Sequence, residues 1–104
     1  MVEDFTTDLD DYTLAFPVLT KKNYLEWIDL AQDVLTSQGL WKYADGTETE
    51  PEDPSKKAEF IQNNAKAVVF LKLAAGSGIR AHLIGMHQSK EILEKIKALN
   101  DVSR

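Results

Sequence analysis

The sequence predicts an all-α fold, a compact orthogonal bundle of about four helices with an extended N-terminal strap. Three observations predict it. Apolar residues recur at spacings of three and four in separate stretches, capping and stop residues stand at the ends of those stretches, and no segment alternates polar and apolar as a half-buried strand does. With 104 residues and no cysteine, the chain makes one domain of modest core without disulfides or thiolate metal sites.

The organising stretch is 23–41, NYLEWIDLAQDVLTSQGLW. Asn23 is placed to cap its start, with Glu26 three residues on to complete a capping box. Tyr24, Trp27, Ile28, Ala31, Val34 and Leu35 share one face. Gly39 stops the helix, because glycine takes the left-handed turn without steric cost. Leu40 and Trp41 then fold back onto the same face.

The elements around it follow in order. Residues 1–11 are acidic, without period, and read as a loose tail. Residues 12–19 (YTLAFPVL) are apolar but interrupted by Pro17, which keeps Phe16 extended and forbids a helix. They read as a strap anchored by Phe16 and Leu19. Residues 42–46 read as a turn closed by Asp45-Gly46, and 47–53 as a loop. A second helix opens at Asp53-Pro54-Ser55, a cap followed by proline at the first helical position. Its face carries Phe60, Ile61, Asn64, Ala67, Val68, Leu71 and Ala75. Val69, Phe70 and Leu73 widen that face, so the second half is expected to be buried all round. Gly76-Ser77-Gly78 stops it. A short helix over 79–86 turns Ile79, Leu83 and Met86 inward, and a last helix over 89–100 carries Ile92, Leu93, Ile96 and Leu99. The expected core is Phe16, Tyr24, Trp27, Ile28, Leu35, Trp41, Phe60, Val68, Leu71 and Leu93.

Charge is unevenly placed. The net charge of −5 combines five acids and no base over 1–11, another five acids and no base over 45–53, and seven acids against all twelve Lys and Arg elsewhere. An acidic tail and loop are thus joined to a mildly basic body, which they either shield or leave alone as solvated segments. No stretch is apolar for the ~18–20 residues of a membrane helix, and the start is acidic where a secretory signal is basic. The expectation is a cytoplasmic protein with no membrane partner.

Reactive chemistry finds no constellation. Gly76-Ser77-Gly78 is not the Gly-x-Ser-x-Gly elbow, and the glycines are wrongly spaced for a phosphate loop. His82 and His87 stand five apart, off the i,i+4 spacing of a helical metal pair. No catalytic residue, cofactor or metal is expected. Glu26, Asp29 and Asp33 do form a regular acidic row on the outer face of the organising helix. Such a row is either a solvated face or a docking stripe for a basic partner. Lysines are spread over every helix with no aromatic ladder, a weak case for direct nucleic-acid binding.

Taken together, Phe16-Pro17-Val18-Leu19, Asn23-Tyr24-x-x-Trp27, Gly39-Leu40-Trp41 and Asp45-Gly46 with Pro51 or Pro54 after it resemble the N-terminal capsid-lobe region of copia-type LTR-retrotransposon Gag polyproteins. The likeness covers about residues 14–100. Phe60 stands where that family usually has a tryptophan, with Asn64, Ala67 and Leu71 downstream. Residues 89–96, with Ile92 or Leu93 at a second tryptophan position, resemble its final segment. The resemblance implies a non-enzymatic structural protein that self-associates in capsid assembly, within virus-like particles when part of a full Gag. The family also has a second lobe and a Cys-x-x-Cys-type knuckle. Neither occurs in these residues, so the expectation is an excised domain or a shortened, domesticated descendant that meets RNA only indirectly.

Copies of such a lobe need outward groups. The expected contact sets Glu26, Asp29 and Asp33 against Lys66, Lys72 or Lys90 of a neighbour, a head-to-tail pairing that propagates. Exposed ion pairs each contribute about 0–1 kcal/mol, so the expected homo-oligomer is weak. The alternatives are a peptide-binding module, with a pocket lined by Tyr24, Trp27 or Trp41, and an RNA-contacting fragment.

Overall fold

The structure, a computed structural model, describes residues 16–100. The acidic tail and the strap residues before Phe16 lie outside the described residues. Four helices follow in order, with no strand among the described residues: α1 (Tyr24–Ser37), α2 (Trp41–Ala44), α3 (Pro54–Arg80) and α4 (Ser89–Asn100), with a 3-10 turn at Ala81–Leu83 between α3 and α4. The fold is the expected all-α bundle.

The start of α1 is capped differently from the expectation. Asn23 does not cap with its side chain. Its Oδ1 accepts from the Thr20 N–H at 2.8 Å, and Thr20 Oγ1 accepts from the Asn23 N–H at 3.1 Å. This reciprocal pair is a capping box set three residues earlier, with Thr20 in the cap role and Asn23 in the role expected of Glu26. Asn23 also donates through Nδ2 to the Val18 carbonyl at 2.8 Å, tying the strap to the helix. The stop is as expected. Gly39 has φ 72°, its N–H bonds the Thr36 carbonyl, and the Leu40 N–H reaches back to Leu35 at 2.7 Å. That six-to-one bond closes a Schellman motif, with Leu40 and Leu35 both buried in the core.

The first part of the expected turn over 42–46 is instead helical, in α2. Asp45 Oδ1 then accepts from the Thr47 N–H and Oγ1, closing the Asx turn. Asp53 caps α3 as expected, accepting from the Ser55 N–H at 3.0 Å.

The break at 76–78 takes an unexpected form. Helical structure runs on to Arg80 through a kink at Gly76, whose φ 85° and ψ 162° suit glycine alone. A break strands the carbonyls of the preceding turn, and side chains take three of them. Arg80 Nε donates to Lys72 O at 2.7 Å and its Nη2 to Leu73 O at 3.1 Å. Trp27 Nε1 donates to Ala74 O at 3.0 Å. The short helix expected over 79–86 is therefore the tail of α3 plus the 3-10 turn. Its inward residues stay inward, with Leu83 buried and Ile79 and Met86 half-buried.

The core gathers around Trp27, which is fully buried beside Ala31 and Leu35. Phe16 meets its indole edge to face at 5.8 Å and meets Phe70 at 5.5 Å, so the strap closes this end of the core. Of the ten expected core residues, Trp27, Leu35, Val68 and Leu71 are buried in the cluster, and Phe16, Tyr24, Ile28, Trp41, Phe60 and Leu93 pack against it half-buried. Two expectations for α3 fail. Ile61 is exposed, and its second half is not buried all round, since Val69 and Leu73 also face outward. One element covers only one side of a helix, and here the strap, α1, α2 and α4 all lie on the side of Ala67, Phe70, Leu71 and Ala74.

Candidate functional site

A concavity opens around Trp41. Its position follows from the stop of α1. The Schellman turn at Gly39 buries Leu40 and sets Trp41 at the start of α2, half in and half out of the core. Tyr24 and Ile28 of α1, Trp41, Ala44 and Asp45 at α2, and Lys90, Leu93, Glu94 and Lys97 of α4 then enclose a groove of about 320 Å³. Its floor is aromatic and aliphatic, and its rim on α4 is charged.

A polar rivet ties α2 and α4, two of the three helices that make this groove, to α3. Asn64 of α3 donates through Nδ2 to the His87 carbonyl at 2.9 Å, and its Oδ1 accepts from the Ser89 N–H at 2.9 Å. Ser89 Oγ lies 2.8 Å from Asn64 Oδ1 and 2.9 Å from the Tyr43 carbonyl, sharing its one proton between them. Asn64 thus caps α4 from the side of α3. The Tyr43 ring meets Phe60 at 5.4 Å, and its hydroxyl accepts from Asn63 Nδ2 at 3.1 Å. Buried donors and acceptors left open would cost ~1–3 kcal/mol each; no described buried side-chain polar atom lacks a partner.

Lys90 reaches the groove over Gly46. A Cβ at Gly46 would stand 2.8 Å from Cδ and Cε of Lys90, so a side chain there would push that exposed stem aside. The Lys90 ammonium then pairs with Glu94 one turn on at 3.7 Å, in the open. This pair orients the rim more than it stabilises the fold.

The structure distributes the other expected contact residues. Glu26, Asp29 and Asp33 are exposed along the outer face of α1. Lys66 and Lys72 are half-buried on α3, and Lys90 alone of the three lysines lies at the groove. Acids and lysines stand on separate elements and are not gathered into one site. Of the aromatic residues expected to line a pocket, Tyr24 and Trp41 do so and Trp27 does not. Asp45, Glu94 and Lys97 complete the rim without having been singled out; the i,i+3,i+4,i+7 spacing of Lys90, Leu93, Glu94 and Lys97 is the signal that places them on one face of α4.

His82 and His87 are exposed. Among the described residues no three His, Cys, Asp or Glu side chains are grouped to hold a metal ion, and no helix is long and apolar enough to cross a membrane. Gly76-Ser77-Gly78 is the kink of α3. Fold and groove together define the class: a small helical lobe with an open aromatic groove and outward-facing helix rows. No family model, curated protein or solved structure matches the chain.

Proposed function

We propose that this chain is a non-enzymatic, Gag-like capsid lobe that works by weak contact with copies of itself. One observation carries the reading. Several of the residues that carry the resemblance are spent on architecture: Asn23 ties the strap, Trp27 anchors the kink of α3, Gly39 turns the chain and Trp41 floors the groove. A motif of that kind serves a shape, and a lobe of fixed shape with rows of outward groups suits repeated contact between copies. The acidic row Glu26, Asp29 and Asp33 is fully outward and available for it. Sedimentation velocity of the chain over a range of concentrations and salt tests the reading. Concentration-dependent association is expected. The triple reversal to lysine at Glu26, Asp29 and Asp33 should abolish any part of it that salt weakens, and unchanged sedimentation would remove that row from the interface.

A second reading, a peptide-binding module, is favoured by the groove itself. Half-buried Trp41 and Tyr24 over an aliphatic floor offer a seat for an apolar side chain, with Lys90 and Lys97 at the rim. Titration with peptides followed by Trp41 fluorescence tests it. Binding to RNA by this chain would weaken steeply with salt, and a titration at two salt concentrations separates that outcome from both readings.

A further inference from the structure

We infer that the chain's own acidic beginning, residues 1–15, continues the strap along α3 and covers the outer face of that helix. The contact lies within one chain and owes nothing to self-association. Its direction is set by the strap. Pro17 keeps the strap extended. Val18 Cγ1 lies 3.2 Å from where a Gly76 Cβ would stand, and two residues earlier the Phe16 ring meets Phe70 at 5.5 Å. Between Val18 and Phe16 the strap therefore moves six residues along α3, roughly 9 Å at 1.5 Å per residue, away from the kink and towards the helix start. A chain continued on that heading has Val69, Ala65 and Ile61 ahead of it, all exposed. Fifteen residues precede Phe16. They reach about 22 Å as a helix and about 50 Å extended, and Ile61 stands only roughly 14 Å beyond Phe70.

Charge selects this occupant. Residues 1–15 carry Glu3, Asp4, Asp8, Asp10 and Asp11 and no base. Across from them, α3 has Lys56, Lys57, Lys66, Lys72 and Arg80 against the single acid Glu59, and no acid occurs from Phe60 through Lys90. At the helix start Lys57 already pairs with Glu50, so the acids bear on the middle of α3 and on the strap, where Lys21 and Lys22 are exposed. At the Trp41 groove the same segment would meet Asp45 and Glu94 as well as Lys90 and Lys97. Apolar groups agree. Ile61 at 55%, Val69 at 44% and Leu73 at 39% are exposed on a face that would ordinarily carry charge, and the segment brings Val2, Phe5, Leu9, Tyr12 and Leu14. A tethered segment needs far less than the ~1,200–2,000 Å² of an independent complex, because closing a short loop replaces the entropy of association. The acidic tail then shields the basic body, and the outer face of α3 opens to a partner only when the tail is displaced.

The test uses the full chain, which has no native cysteine. A nitroxide on Thr7→Cys should broaden the methyl signals of Ile61, Val69 and Leu73 far more than those of Ile28 and Leu93 at the groove. The broadening should persist on dilution, and should vanish when the nitroxide is on one chain and the observed methyls are on another. Salt at 1 M, which shortens the screening length to about 3 Å, should remove most of it. So should Asp8→Asn, Asp10→Asn and Asp11→Asn combined, with helical circular dichroism unchanged. Broadening strongest at the groove would overturn the inference, as would none at all. Broadening carried between chains would give the face to a neighbouring copy and overturn it too. Broadening that neither salt nor the asparagine variant reduces would overturn the charge pairing on which it stands.

Discussion

The two tryptophans, fourteen positions apart, end in opposite situations. Trp27 is enclosed: Phe16 stands on its ring, Ala74 accepts its N–H, and the alanines of α3 leave it room. Trp41 is held by one side only and gives the other to an open groove. The difference comes from what faces each ring. Ala67, Ala74 and Ala75 are small enough for a helix to approach Trp27 closely. Trp41 shares its open side with the long, exposed side chains of Lys90, Glu94 and Lys97, which rim the groove instead of closing over the ring. An indole becomes a pillar where its partners are small and a platform where they are long and charged.

The largest test of that contrast is truncation. Trp27→Ala should cost ~3–5 kcal/mol, the range of a fully buried aromatic, and the variant should unfold at far lower urea. Trp41→Ala should cost about 1–2 kcal/mol, since only part of its surface leaves water. Equal shifts in the two urea midpoints would erase the distinction. Single-tryptophan variants sharpen it: Trp41→Phe should leave blue-shifted emission protected from acrylamide, and Trp27→Phe should leave emission that acrylamide quenches.

The rivet beneath the groove comes next. Asn64→Ala removes the acceptor of the Ser89 N–H and the donor to His87, inside the protein. The expected loss is about 2–3 kcal/mol, from two groups left open. Amide exchange should rise first in the opening turn of α4, which Asn64 caps, with little change around Trp27. A uniform rise over the whole chain would mean that the two ends are one cooperative unit.

How far this was legible in the sequence depends on distance along the chain. Local signals spoke plainly. Asp53-Pro54-Ser55 opened α3, Gly39 closed α1, and the ten core positions fell in the cluster or against it, because caps, left-handed turns and helical periodicity are set by neighbours. Asn64 was placed on the inner face of α3 but not recognised as the cap of α4, twenty-five residues away. The kink was read as a stop because Gly76-Ser77-Gly78 looks like one; what carries the chain through is Arg80 and Trp27 taking the stranded carbonyls, which only the fold reveals. The outward turn of Ile61, Val69 and Leu73 was missed for a related reason. An apolar residue on a long helix reads as core, and periodicity does not say how many neighbours the helix has. Of the groove, the aromatic half was foreseen, and the α4 rim was not.

A smaller effect separates backbone from packing at the junction between the two tryptophans. Gly39→Ala meets no atom within 4 Å, so its whole cost is the left-handed conformation, about 1–2 kcal/mol. The loss should appear in the urea midpoint with both emission maxima unchanged. A shift in Trp41 emission would mean that the turn also aims the groove.

The smallest effect bears on the Trp27 end, where two residues compete for one role. If the capping box is Thr20 with Asn23, Thr20→Ala removes the acceptor of the Asn23 N–H and should cost ~1 kcal/mol, as lost caps do. Glu26→Ala, at an exposed site outside the Thr20–Asn23 box, should stay within about 0.5 kcal/mol. Because Asn23 also holds the Val18 carbonyl, Asn23→Ala should exceed Thr20→Ala and should loosen Phe16 from Trp27, raising acrylamide quenching in the Trp41→Phe background. Were Glu26→Ala the costlier change, the box would lie where the sequence first suggested, and the strap would have to be held by Phe16 and Leu19 alone.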